Sequence, residues 1–209
     1  MTARDCPLIP MGHRALVAYE RVDGRYNLHF THWGGADLRL VTQITPDRPF
    51  GGSVDNHPWV EEVFPHLQTT TEPILPESPA DRPQTQVDPS PIAVELTLEE
   101  IELEYLDFQT FEALYVASPT FDVTGYRTLW LGFADTAERI SHSPTVGHGI
   151  LVALRWYEGA PVGDGYLRGW FAGAKTIYGE FLDHGALTVP QATTRLVHTF
   201  EETIKSGRD

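Results

Sequence analysis

Two short runs of alternating apolar residues, joined by an Asp-Gly pair, constrain this chain more than any other feature. Ala15, Val17 and Tyr19 place apolar residues at every second position, and Tyr26, Leu28 and Phe30 do the same with polar residues between them. Period-two alternation is the pattern of a strand with one face buried. Between the runs lies Val22-Asp23-Gly24-Arg25, and Asp-Gly is a strong hairpin signal because glycine reaches positive φ without strain. The chain therefore opens its fold with an antiparallel hairpin, which excludes an all-helical protein. Gly34-Gly35 ends the hairpin, and Ala36–Ile44 is expected to be a short helix or turn.

Further strands are expected at Phe111–Ala117, Thr124–Phe133 and Gly149–Tyr157, each rich in β-branched or aromatic residues and bounded by Gly or Pro. Thr97-Leu98-Glu99-Glu100 fits a capping box, with a threonine N-cap and a glutamate three residues on. It predicts a helix to about Asp107, against a competing strand reading from alternating Ile101, Leu103 and Tyr105. The last quarter is helical. Tyr166, Trp170, Phe171, Ala174, Ile177, Tyr178, Phe181 and Leu182 recur at helical spacing, and Gly185 suits a C-cap. A second helix starts near Pro190 and buries Ala192, Leu196, Val197, Phe200 and Ile204. The expected fold is α+β: a mainly antiparallel sheet of about five strands with a C-terminal helical hairpin packed on it. No repeat at solenoid spacing is present.

Six of the 16 prolines fall in residues 69–91 among Thr, Ser, Glu and Gln, so this stretch is expected to be a long acidic loop. Residues 1–10 are expected to be a flexible leader, with Met11-Gly12 as a second translation start, residues 11–205 a single domain, and 206–209 a tail. The longest apolar run, Gly149–Leu154, is far short of the ~20 residues of a membrane helix. The N-terminus has no apolar core of secretory type, and the one cysteine, Cys6, has no internal partner. These features predict a cytoplasmic protein without a membrane segment.

Charge narrows the environment. The chain carries 29 acids against 15 bases, and only Lys175 and Lys205 of the bases are lysine. In molar salt the Debye length falls to about 3 Å, so the self-repulsion of such a chain is screened. Acid excess with lysine depletion predicts a halophilic protein. The acids are also concentrated: residues 72–112 hold eleven of them and one base, Arg82. That segment is the expected contact for a protein partner.

Few motifs carry chemistry. The hairpin brings His13-Arg14 beside His32-Trp33-Gly34-Gly35, the densest polar and aromatic cluster in the chain. Arg14 could clamp an anion, His32 act as acid or base, and the glycines admit a ligand to the backbone. The structural alternative makes the glycines a turn and Trp33 a core cap. Glu112, facing inward, would need Arg14, Arg127 or Arg155; facing outward, it is a solvated acid. His29 and His32 lie three apart in a strand and so diverge, and no zinc pattern accompanies them. The expectation is therefore no metal and no cofactor. Ser141-His142-Ser143 is not a triad by adjacency, and Gly163-Asp164-Gly165 lacks the spacing of a dinucleotide loop. Nucleic-acid binding is disfavoured because Arg168, Lys175, Arg195 and Lys205 are matched by Glu180, Asp183, Glu201 and Glu202.

Met11-Gly-His-Arg, Asp23-Gly24-Arg25-Tyr26 and His32-Trp33-Gly34-Gly35 together resemble the N-terminal hairpin of an uncharacterised family of small haloarchaeal proteins. A fainter similarity goes to phage-borne proteins beginning Met-Gly-x-Arg. The resemblance covers residues 11–35 and implies a salt habitat, with no assigned activity. The leading expectation is a non-enzymatic binding or interaction protein. The alternatives are a small hydrolase-like enzyme using His32, Arg14 and Glu112, and an acidic mimic of DNA.

Overall fold

The computed structural model describes residues 12–52, 67, 69 and 85–206. The leader, Cys6, residues 70–84 of the proline-rich loop and residues 207–209 lie outside the described residues.

The opening hairpin forms where the two runs and the Asp-Gly turn place it, although its first strand is buried on both faces and not on one. Strand β1 (Ala15–Glu20) pairs antiparallel with β2 (Tyr26–Thr31), with Ala15 opposite Thr31 and Glu20 opposite Tyr26. Gly24 takes φ 78° in the turn, and Asp23 accepts a hydrogen bond from the Arg25 backbone N–H. After a four-residue helix α1 (Leu40–Gln43), the chain returns as β3 (Ala93–Leu96) on the outer edge of β2. Helix α2 (Leu98–Glu100) follows and runs into a π-helical turn, Ile101–Tyr105. Then come β4 (Ala113–Ala117), β5 (Val123–Trp130) and β6 (Gly149–Ala153).

Among the described residues the sheet has six strands in the order β3-β2-β1-β4-β5-β6, one more than expected. It is antiparallel except at its centre, where β1 and β4 run parallel with Ala15 opposite Ala113. The predicted strand Gly149–Tyr157 is two strands. β6 stays in the sheet, while β7 (Arg155–Tyr157) turns away to pair with β8 (Ala160–Val162) in a separate ribbon. The predicted helix from Thr97 ends at Tyr105, two residues early, and the strands predicted to begin at Phe111 and end at Phe133 are trimmed to β4 and β5.

Both faces of the sheet centre are covered, which is why β1 is buried continuously along Ala15–Tyr19. Leu16, Ala18, Leu28 and Leu114 point into one core with Ile101, Leu106 and Phe108 from the α2 side. Ala15, Val17, Tyr19, Ala113 and Tyr115 point into another with Leu38, Leu40, Phe50 and Val87. At about 25 cal/mol per Å² of apolar area, burial on two sides makes this centre a large contributor to stability.

Helices α3 (Asp164–Asp183) and α4 (Val189–Ser206) form the expected hairpin. Gly185 at φ 69° ends α3, with its N–H bonded to Leu182 O and that of Ala186 to Phe181 O. Phe171, Leu182, Ala192, Leu196 and Phe200 close a third core with Leu129 and Val152 of the sheet. The α3 prediction is corrected on one point: Tyr166, Ile177 and Phe181 are not buried but stand 70%, 55% and 44% exposed.

Candidate functional site

The cluster predicted at the open end of the hairpin forms in part. Ala15 opposite Thr31 sets Arg14 beside His32. Gly35 lies against the start of β1: its N–H bonds to His13 O, and a Cβ there would sit 2.7 Å from Arg14 O. Gly34 is enclosed by Thr31 and Leu40, and its carbonyl accepts the Tyr115 hydroxyl. The glycines thus bring the chain against its own backbone. Trp33 is 61% exposed, so it does not cap the core. It stacks edge-on against His32 with centroids 4.8 Å apart and lies 6.4 Å from the His13 ring.

Glu112 is the residue that links this cluster to the rest of the fold. Its Oε1 accepts a 2.9 Å bond from His13 Nδ1, and its Oε2 lies 3.8 Å from Arg127 Nη1. Of the three arginines considered for it, Arg127 is therefore the partner. His32 makes its ring contacts with Phe30 and Trp33, whereas Glu112 is engaged by His13, so the pair suggested for hydrolysis does not share a hydrogen bond. Arg14 Nε is buried without a hydrogen-bond partner among the described residues. His29 is buried between Tyr19 and Phe50, whereas His32, one residue past the end of β2, is exposed.

Arg127 is only 2% exposed and is held on every side. Nε and Nη2 form a bidentate pair with Asp164 at 2.9 and 2.8 Å. Nη1 donates to Gly35 O at 2.7 Å and Glu112 O at 3.0 Å, and Nη2 to Ala36 O at 3.3 Å. One guanidinium therefore ties together the hairpin exit, the entry to β4 and the first residue of α3. A planar five-donor group suits this role, and lysine does not.

Beyond Arg127 a cleft of about 410 Å³ opens between β5, residues 108–112 and α3. Its aromatic surfaces come from Phe108, Phe111, Trp130 and Phe171, and its charged ones from Glu112, Arg127, Asp135, Arg168 and Lys175. Lys175 is 4% exposed, with Nζ 2.9 and 3.1 Å from the two Asp135 oxygens and 4.4 Å from the Trp130 ring centroid. Burial pulls its amine below the usual lysine range, and Asp135 opposes that shift. Asp135 and Arg168 are each about half exposed at the rim, and Arg168 is 4.0 Å from Asp164. The arrangement offers a charged ligand both signs over aromatic walls.

The sequence pointed to Glu112, and to Arg127 as one of three possible partners for it, but not to Asp135, Asp164 or Lys175. The signal for Lys175 was present: one of two lysines in the chain stands among the apolar positions Phe171, Ala174, Tyr178 and Leu182. Among the described residues no group of three His, Cys, Asp or Glu side chains lies close enough to hold a metal ion. No described helix is long and apolar enough to cross a membrane.

An α+β fold with a charged cleft beside its helical hairpin defines a structural class without a reaction. The chain belongs to a family of unknown function, DUF6735, whose match spans residues 11–209. No curated protein and no solved structure matches it.

Proposed function

We propose that this chain is a non-enzymatic binding protein of a salt-rich cytoplasm, and that the cleft between β5 and α3 holds a small charged ligand. The observation that carries this reading is Lys175. A chain that uses arginine for 13 of its 15 bases keeps a lysine at a nearly closed position in the cleft wall, braced by Asp135 against Trp130. Burying a cation is expensive unless it is paired, so the position is maintained at a cost that a purely apolar wall would avoid. Arg168 and Asp135 at the rim are accessible to a ligand, whereas Arg127 is fully engaged and acts by holding the cleft's shape.

Thermal unfolding in molar salt with a panel of amino acids, carboxylates, polyamines and nucleotides tests the proposal. A ligand at a hundred times its Kd adds about 2.7 kcal/mol, or roughly 5–10 °C in Tm for a chain of this size. One class is expected to give such a shift, and Arg168→Gln or Asp135→Asn to reduce it. A second reading places the function on the acidic segment 72–112, supported by exposed Leu98 and Leu103 set beside exposed Glu99 and Glu104. A panel without any shift, together with a partner recovered by pull-down at molar salt, would favour that segment. The DNA-mimic reading draws less support, because Glu95, Glu100, Asp107 and Glu112 of this segment are engaged within the fold by Arg21, Thr97, Thr145 and His13.

A further inference from the structure

The outer face of α3 carries a ridge of residues four apart: Gly165, Gly169, Gly173, Ile177 and Phe181. Its first three members are glycines that the chain's own packing does not require. A Cβ built at any of them would meet nothing within 4 Å among the described residues. At Gly179, in the same helix, a Cβ would strike the Thr136 backbone, so that glycine has an internal reason. Glycine weakens a helix interior relative to alanine, and Gly169 and Gly173 in that interior, with Gly165 continuing their row into the first turn, call for another cause. The last two members are the opposite: Ile177 and Phe181 are large, apolar and about half exposed. Beside the ridge lies a groove of about 450 Å³ between α3 and α4.

We propose that this ridge is a self-association surface, on which two copies of the chain pack α3 against α3, antiparallel, about a twofold axis at Gly173. That register sets Gly173 against its symmetry mate, Gly169 against Ile177 of the second copy, and Gly165 against Phe181 of the second copy. Every bulky residue meets a glycine, and the twofold repeats each contact. Ridges of residues four apart interdigitate at a crossing angle near −50°, the commonest arrangement of packed helices. Charge fits the same register. Glu180 falls opposite Tyr166 of the second copy, and Arg155 borders the hollow beside Tyr166. Neither Arg155 nor Glu180 has an ion pair within its own chain among the described residues, so this register brings opposite charges to the same part of the contact.

The strength of the contact follows from its size. A 20-residue helix is about 30 Å long, and one helix face is small beside the ~800 Å² per partner of a standard interface. The dimer is therefore reversible. With a net charge of −14 on each copy, it tightens as salt screens the repulsion.

Sedimentation velocity of the full chain, from low to molar potassium chloride and from micromolar to millimolar protein, reads the association directly. Wild type is expected to shift from monomer to dimer with concentration, and at lower concentration as salt rises. Gly173→Leu is expected to stay monomeric while its thermal midpoint is unchanged or higher, because a Cβ at this position meets nothing within 4 Å among the described residues and leucine favours a helix over glycine. Arg155→Glu and Glu180→Arg are each expected to weaken the dimer at least tenfold, and the double variant to restore it. Monomer under all conditions overturns the proposal, as does a Gly173→Leu protein that dimerises like wild type. Charge variants that fail to rescue each other overturn the register.

Discussion

Single residues in this fold are set by what burial demands of them. His29 is buried in the core with Tyr19 and Phe50, and its Nδ1 bonds to Asp88 O at 2.8 Å. Burial pushes its pKa down from 6.5 to about 4. The folded state thus refuses a proton that the unfolded chain takes below about pH 6.5. Stability from this group is fully present above that pH and is lost as pH falls toward 4, by at most about 3 kcal/mol. Urea midpoints between pH 7 and 4 check this, and His29→Gln is expected to flatten that part of the profile; an unchanged slope would assign it elsewhere. Glu112 was legible in the sequence as a carboxylate that needs a cation if it faces inward, but Arg127 was one of three arginines that could serve it, and only the pairing of β4 with β5 selects it. The Asp135–Lys175 pair was not legible, since 40 residues separate its members and only the docking of α3 on the sheet joins them.

Elements with local causes were read correctly, and those with distant causes were not. The capping box at Thr97 forms in full: Glu100 N–H donates to Thr97 Oγ1 at 3.1 Å, and Thr97 N–H donates to Glu100 Oε2 at 2.7 Å. Thr97→Ala is expected to cost about 1 kcal/mol, measurable as a lower urea midpoint with an unchanged slope. A change in slope would mean that α2 melts apart from the rest. Strand β3 escaped notice because it is four residues long, with Glu95 at φ 59°, and exists only by pairing with β2. Strand β8 contains Pro161, which reads as a breaker, and is tolerated because the ribbon has only two strands. Its turn, Glu158-Gly159, takes positive φ at both positions, as a two-residue hairpin loop requires, but Glu-Gly is a weak signal for it.

At the scale of the molecule, composition reported the layers better than their order. Strand-rich segments followed by two amphipathic helices specify α+β, and the helical hairpin packs on the sheet as that pattern implies. The parallel seam at the sheet's centre had no local signal, because nothing in Ala15–Glu20 or Ala113–Ala117 states which strand lies beside it. That seam sets the order in which the protein acquires its structure. The β1–β2 hairpin and the β4–β5 pair close short loops, whereas joining Ala15 to Ala113 closes a loop through the whole proline-rich excursion. Loop closure must be met before distant contacts return any energy, so the two local pairs are expected to form early and the seam late. Pulse-labelling hydrogen exchange during refolding would show β4–β5 amides protected before those that bridge β1 and β4; simultaneous protection would contradict this order. Until the seam closes, the facing edges of β1 and β4 are unpaired, and this brief interval is when the chain is most open to pairing with a neighbour and aggregating.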